Sequence, residues 1–140
     1  MLLKTKEIIK HKISKMKDIK KLGVWMDHSK AFLMELTNGP ILQHQLQSDF
    51  NFLHRESSLV KSELLLHNRE QHEQSVYYQT IAKTIINFNE VLLFGPTEAK
   101  DELFNLIRAN TLFDKIKITV QNSDIMTEVQ MHIHVREFFA

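Results

Sequence analysis

Val91-Leu92-Leu93-Phe94-Gly95-Pro96-Thr97-Glu98-Ala99-Lys100-Asp101-Glu102-Leu103-Phe104 reads as a short apolar strand that turns through Gly95-Pro96 straight into an amphipathic helix. Gly95 permits a backbone turn that other residues resist, Pro96 has no N–H to leave unsatisfied, and Thr97 is placed to cap the helix. The free amides and positive end of that helix, with Lys100 one turn in and expected to face outward, make Gly95, Thr97 and Lys100 a candidate anion-binding site. A capped turn that merely redirects the chain is the competing reading.

Upstream, Tyr77, Tyr78, Ile81, Ala82, Ile85 and Ile86 draw one apolar stripe on a helix spanning Glu70 to Phe88. Downstream, the helix from Glu98 to about Asn110 turns Leu103, Phe104, Leu106 and Ile107 inward, and Ile116 to Val120 alternates as a strand. Asn122-Ser123-Asp124 then cap a last helix carrying Val129, Ile133, Val135, Phe138 and Phe139. Toward the amino end, Leu22–Met26 and Ala31–Leu36 flank a tight turn at Asp27-His28-Ser29-Lys30, which predicts a hairpin. Asn38-Gly39-Pro40 adds a turn before a third strand from Ile41 to Gln47. Residues 48–69 sustain neither period and predict a long loop over 49–69. The order βββαβαβα describes an α/β domain with a mixed five-stranded sheet, ribonuclease H-like, and helices packed on the sheet.

The 140 residues are the size of one domain, 43% hydrophobic and 25% charged. The division expected is a basic arm over 1–20 and a single α/β domain over 21–140. No cysteine occurs, which excludes disulfides, thiolate catalysis and cysteine-bound zinc and fits a cytoplasmic location. No apolar run approaches the roughly 20 residues of a membrane span. The formal net charge of +1 is unevenly shared: residues 1–21 hold eight lysines against Glu7 and Asp18, a net +6, and the remainder holds ten basic against fifteen acidic side chains, a net −5. Such an arm suits RNA or another polyanion. Ile8, Ile9, Ile13, Met16 and Ile19 recur near helical spacing, so an amphipathic helix with solvating lysines is the alternative, and a start at Met16 would leave most of the arm out.

Chemistry-bearing groups are few. Asp27 follows the first strand and Glu35 lies on the next, the raw material of a metal-dependent nuclease or hydrolase, but Gly95-Pro96 stands where a further carboxylate is needed, and Asp27 reads better as a turn residue. His132 and His134 fall on different faces of a helix, and His67 and His72 miss the four-residue spacing of a shared ion. No phosphate loop, nucleophile elbow or zinc-protease motif occurs, so no catalytic residue, metal site or cofactor is assigned. Tyr77-Tyr78 reads as core rather than a base-stacking platform. The polar run His67-Asn68-Arg69, with Arg55 and Lys61 before it, is the first candidate for a specific partner, RNA or protein.

The segment Phe94 to Ile107 resembles the strand-to-helix segment in the central domain of Pelota and of archaeal and eukaryotic peptide chain release factor subunit 1. The pattern from Gly23-Val24-Trp25-Met26-Asp27-His28 to the final helix also resembles small bacterial release-factor-domain-like proteins of the translational machinery, over about residues 21–139. The resemblance implies a ribonuclease H-like domain that associates with the ribosome, transfer RNA or structured RNA and is not an enzyme. Release factors act through a Gly-Gly-Gln loop in this domain, and residues 48–69 contain no glycine. The resemblance therefore implies a binding role like that of Pelota, whose central domain also lacks the tripeptide.

Overall fold

A computed structural model describes residues 19–48 and 63–140. The apolar runs become strands β1 (Lys21–Met26), β2 (Lys30–Glu35), β3 (Leu42–Gln47), β4 (Glu90–Gly95) and β5 (Lys117–Asn122), and helices α1 (Glu63–Ile85), α2 (Ala99–Arg108) and α3 (Glu128–Phe138). A 3-10 turn at Thr111–Phe113, capped by Asn110, was not foreseen. The strands lie in the order β3-β2-β1-β4-β5. β1 pairs antiparallel with β2 and β2 with β3, while β1, β4 and β5 run parallel, giving the mixed α/β, ribonuclease H-like sheet expected.

β1 and β4 are the centre, and nearly every residue in them is buried because helices cover both faces. On one face α1 and α2 bring Tyr77, Tyr78, Ile81, Ile85, Leu103 and Ile107 onto Leu22, Val24, Met26, Leu33 and Leu93. On the other, α3 alone sets Met131 and Val135 on Trp25, Phe32, Met34, Leu92 and Phe94. Among the described residues no helix is long and apolar enough to cross a membrane.

Four expectations need correction. α1 begins at Glu63, so 63–69 are helix rather than loop, and 49–62 lie outside the described residues, as do 1–18 of the arm. The helix hid there because residues 67–69 are polar, exposed or half-buried, and carry no apolar stripe. Val129 and Ile133 face solvent, 69% and 51% exposed, because α3 carries two apolar rows and the sheet takes Met131 and Val135. Leu106 and Ile86 are likewise exposed. Asn122 ends β5 and Ser123 N–H bonds Gly95 O, so α3 is capped by Thr127, whose hydroxyl accepts from Gln130 N–H while Gln130 Oε1 accepts from Thr127 N–H.

Candidate functional site at the carboxyl edge of the sheet

β1 and β4 end side by side, and the chain leaves them in opposite directions, β1 toward β2 and β4 through α2 toward β5. In open α/β sheets ligands bind in the crevice at such a switch point. Here the chain's own side chains occupy it. Asp27 Oδ1 accepts from Ser29 N–H and Lys30 N–H, both at 2.8 Å, and from the Ser29 hydroxyl at 3.0 Å, which makes it the turn residue expected. Tyr77 donates its hydroxyl to Asp27 O at 3.0 Å. Tyr78 donates to Glu102 Oε2, and His28 Nε2 lies 3.2 Å from the same oxygen. Burial pushes both phenols well above their ordinary range, helped by the charge of Asp27 at Tyr77 and by Glu102 at Tyr78. The tyrosines are core as expected, 3% and 6% exposed, with only their hydroxyls reaching this network.

Gly95 has φ 157°, and a Cβ there would stand 2.1 Å from Met26 O, so a side chain would push the ends of β4 and β1 apart. The Thr97 hydroxyl accepts from Ala99 N–H at 3.3 Å, although the cap position itself is Glu98, whose side chain makes no capping bond. Lys100 does not face outward. It is 2% exposed, its Nζ donates to Thr97 O at 2.5 Å and lies 3.6 Å from Asp101 Oδ2. Lys100, Leu103 and Ile107 share the buried stripe of α2, so the lysine stem packs as apolar surface and the ammonium folds back on the helix start. Asp101 and Glu102 in the first turn already oppose the positive end of the helix.

His67, Asn68 and Arg69 belong to α1, not to a loop. Residues 67–76 are exposed or half-buried and Tyr77 is the first of them to reach the sheet. Residues 67–76 of α1 therefore overhang the carboxyl edge by about 15 Å at 1.5 Å per residue, with Glu73 and Gln74 half-buried. His67 and Asn68 are exposed on this overhang, with His67 Nε2 3.1 Å from Gln71 Nε2, and Arg69 Nε donates to Glu73 Oε1 at 3.3 Å. The fold thus brings His67, Asn68 and Arg69 to the same end of the sheet as Gly95, Thr97 and Lys100, some 12 Å along α1 between Arg69 and Tyr77. Arg55 and Lys61 lie outside the described residues.

The metal pairing of Asp27 with Glu35 does not form. β1 residue Leu22 pairs with Glu35 while Met26 pairs with Ala31, so the two carboxylates sit at opposite ends of β1, about 17 Å apart at 3.4 Å per residue. His132 and His134 diverge, one to Gln43 on β3 and the other to Gln121 on β5. Among the described residues no three His, Cys, Asp or Glu side chains converge as metal ligands. The Tyr78–Glu102–His28 network escaped the sequence reading because its members lie up to 74 residues apart and form no motif.

Searches by sequence find no protein-family model and no curated protein that matches the chain. Solved structures do match. Pelota of Archaeoglobus fulgidus superposes with a TM-score of 0.57 at 8% identity, over 94% of this chain and 35% of that one. In fold, the chain resembles a part of Pelota. Pelota of Thermoplasma acidophilum agrees, with a TM-score of 0.52 at 15% identity over 86% of this chain and 32% of that one. An archaeal translation termination factor aligns at 15% identity with a TM-score of 0.39, too loose to argue from. The chain spans about a third of the length of the Pelota structures it matches.

Proposed function

We propose that this chain is a non-enzymatic, cytoplasmic binding domain of the translation apparatus, recognising the ribosome, transfer RNA or other structured RNA. The observation that carries the reading is the fold shared with Pelota over 94% of the chain. The charge distribution supports it, since the +6 of residues 1–21 is a counterion-releasing element on an otherwise acidic domain. His67, Asn68 and Arg69 on the overhanging turns of α1, with Arg55 and Lys61 from the preceding segment, are the side chains we assign to a specific contact, and Gly95 and Thr97 shape the edge beside them. Lys100 supports that edge from within rather than meeting an anion, because its ammonium is already bonded to Thr97 O.

Sedimentation with ribosomes at low and high salt tests this. The protein should pellet at low salt and be released at high salt, and removing residues 1–20 should weaken binding and flatten its salt dependence. Failure to pellet at either salt would refute the reading. A protein-interaction module is the second reading, favoured by the exposed row Ile125, Val129 and Ile133 on and before α3, 83%, 69% and 51% exposed.

A further inference from the structure

An edge strand with free backbone groups invites another strand, and proteins usually guard it with charge, proline or a bulge. Among the described residues β3 is such an edge, and it has none of these guards. Leu42-Gln43-His44-Gln45-Leu46-Gln47 carries no Lys, Arg, Asp, Glu or Pro and pairs with β2 over six consecutive residues without a bulge. Ser48 N–H bonds Ser29 O, which fixes the parity of the antiparallel ladder: residues 42, 44 and 46 bond toward β2, and Gln43, Gln45 and Gln47 turn their N–H and C=O groups to the open edge. Leu42 is 54% exposed.

The sequence of this edge is its own mirror. Leu-Gln-His-Gln-Leu reads the same in both directions about His44, so an antiparallel second copy meets like with like. With a two-fold axis through His44, Gln43 of one copy and Gln45 of the other form hydrogen-bonded pairs, since both have outward N–H and C=O groups. Leu42 meets Leu46 and His44 meets His44 as closer, non-hydrogen-bonded pairs on the face that carries α1. Beside that row runs a groove of about 340 Å³ lined by Leu22, Leu33, Leu42, His44 and Phe88, which leaves room on that face. The glutamines fall together on the α3 face, where amide side chains can bond each other across strands.

We propose that β3 is a homodimer interface, two copies joining β3 to β3 about His44 into one continuous ten-stranded sheet. The interface is isologous, so it closes at two copies and leaves β5 as the outer edge on both sides.

The chain has no cysteine, so single cysteines report cleanly. In full-length protein, His44→Cys should form a covalent dimer on oxidation, because non-hydrogen-bonded partners have Cα atoms about 4.5 Å apart, within disulfide range. Val129→Cys, on the exposed α3 row, should not. Wild-type protein should double its apparent mass with concentration in analytical ultracentrifugation. Gln45→Pro should stay monomeric at the same concentrations and melt where wild type melts once diluted to the monomer, since the N–H it removes faces outward and only the stabilisation by dimer formation is lost. A wild-type chain that is monomeric throughout, or a Gln45→Pro chain that still dimerises, would overturn the proposal. So would crosslinking at Val129→Cys without crosslinking at His44→Cys, a result that needs no proline and therefore decides the matter even if Gln45→Pro melts early.

Discussion

The two faces of the sheet are closed by opposite means. On the α1/α2 face large side chains fill space: Tyr77, Ile81, Ile85, Leu103 and Ile107 lock into Leu22, Val24, Met26 and Leu93, and even Lys100 contributes its stem. On the α3 face the decisive feature is a missing side chain. At Gly23 a Cβ would stand 2.4 Å from Val135 Cγ2, so α3 lies close to β1 only because β1 leaves it room. A face held by filled volume and a face held by vacated volume should respond in opposite ways to substitution, which makes the contrast testable.

The largest loss should come from emptying the filled face. Ile81 is fully buried toward the carboxyl end of α1, and Ile81→Ala should cost about 3–4 kcal/mol, as lost transfer energy plus an unrelaxed cavity, measured by urea denaturation. A loss below about 1 kcal/mol would mean that α1 can collapse into the space and that its packing is looser than drawn. Next comes charge on the same face. Lys100→Glu should cost about 3 kcal/mol, because it sets a carboxylate against Thr97 O in a site that is 2% exposed, whereas Lys100→Met should stay within about 1 kcal/mol by keeping the stem. Equal stability of the two variants would place the side chain in solvent.

The vacated face should fail when filled. Gly23→Ala should cost about 2 kcal/mol as α3 is pushed outward, and most of that should return in the double variant Gly23→Ala/Val135→Ala, where the clashing methyls are gone. Additive losses in that cycle would show that the glycine is needed for some reason other than the approach of Val135.

The sequence disclosed what periodicity can carry. Strands β1 and β4 were legible as apolar runs, and α1 from Tyr77 onward as a stripe, because burial against a sheet imposes those patterns. The turns of α1 before Tyr77 were not, since residues 67–75 are exposed or half-buried polar side chains with no apolar stripe. α3 was legible as a helix but not in its rotation: Ile125/Val129/Ile133 and Met131/Val135/Phe138 are both apolar rows, and the choice between them is made by Gly23, more than 100 residues earlier. Of the candidate site, Asp27 could be read because it bonds amides two and three residues away. Lys100 was misread because a lysine on a helix start looks like an anion ligand until the carbonyl that holds it is known, and Tyr78, Glu102 and His28 meet only in three dimensions.

The smallest effect expected tests whether the hydrogen-bonded edge of the filled face adds to its packing. Tyr78→Phe keeps the ring and removes the hydroxyl that bonds Glu102, and Glu102 keeps His28 as a partner and is half exposed, so no buried charge is orphaned. The cost near neutral pH should be about 1 kcal/mol. Its pH dependence carries the sharper information. The folded state raises the pKa of the Tyr78 hydroxyl above its unfolded value, so the native chain holds that proton to higher pH than the unfolded chain. The stabilisation is therefore complete below the unfolded value of about 10 and is lost as pH rises beyond it, at about 1.4 kcal/mol per pH unit for each such phenol. Wild type has two of them, Tyr77 and Tyr78, and the variant has one. The stability gap between wild type and Tyr78→Phe should then close and reverse on going above pH 10 in urea titrations. A gap that holds constant would mean that the Tyr78 hydroxyl is as well solvated in the folded chain as in the unfolded one, and that the carboxyl edge of this face is open to water.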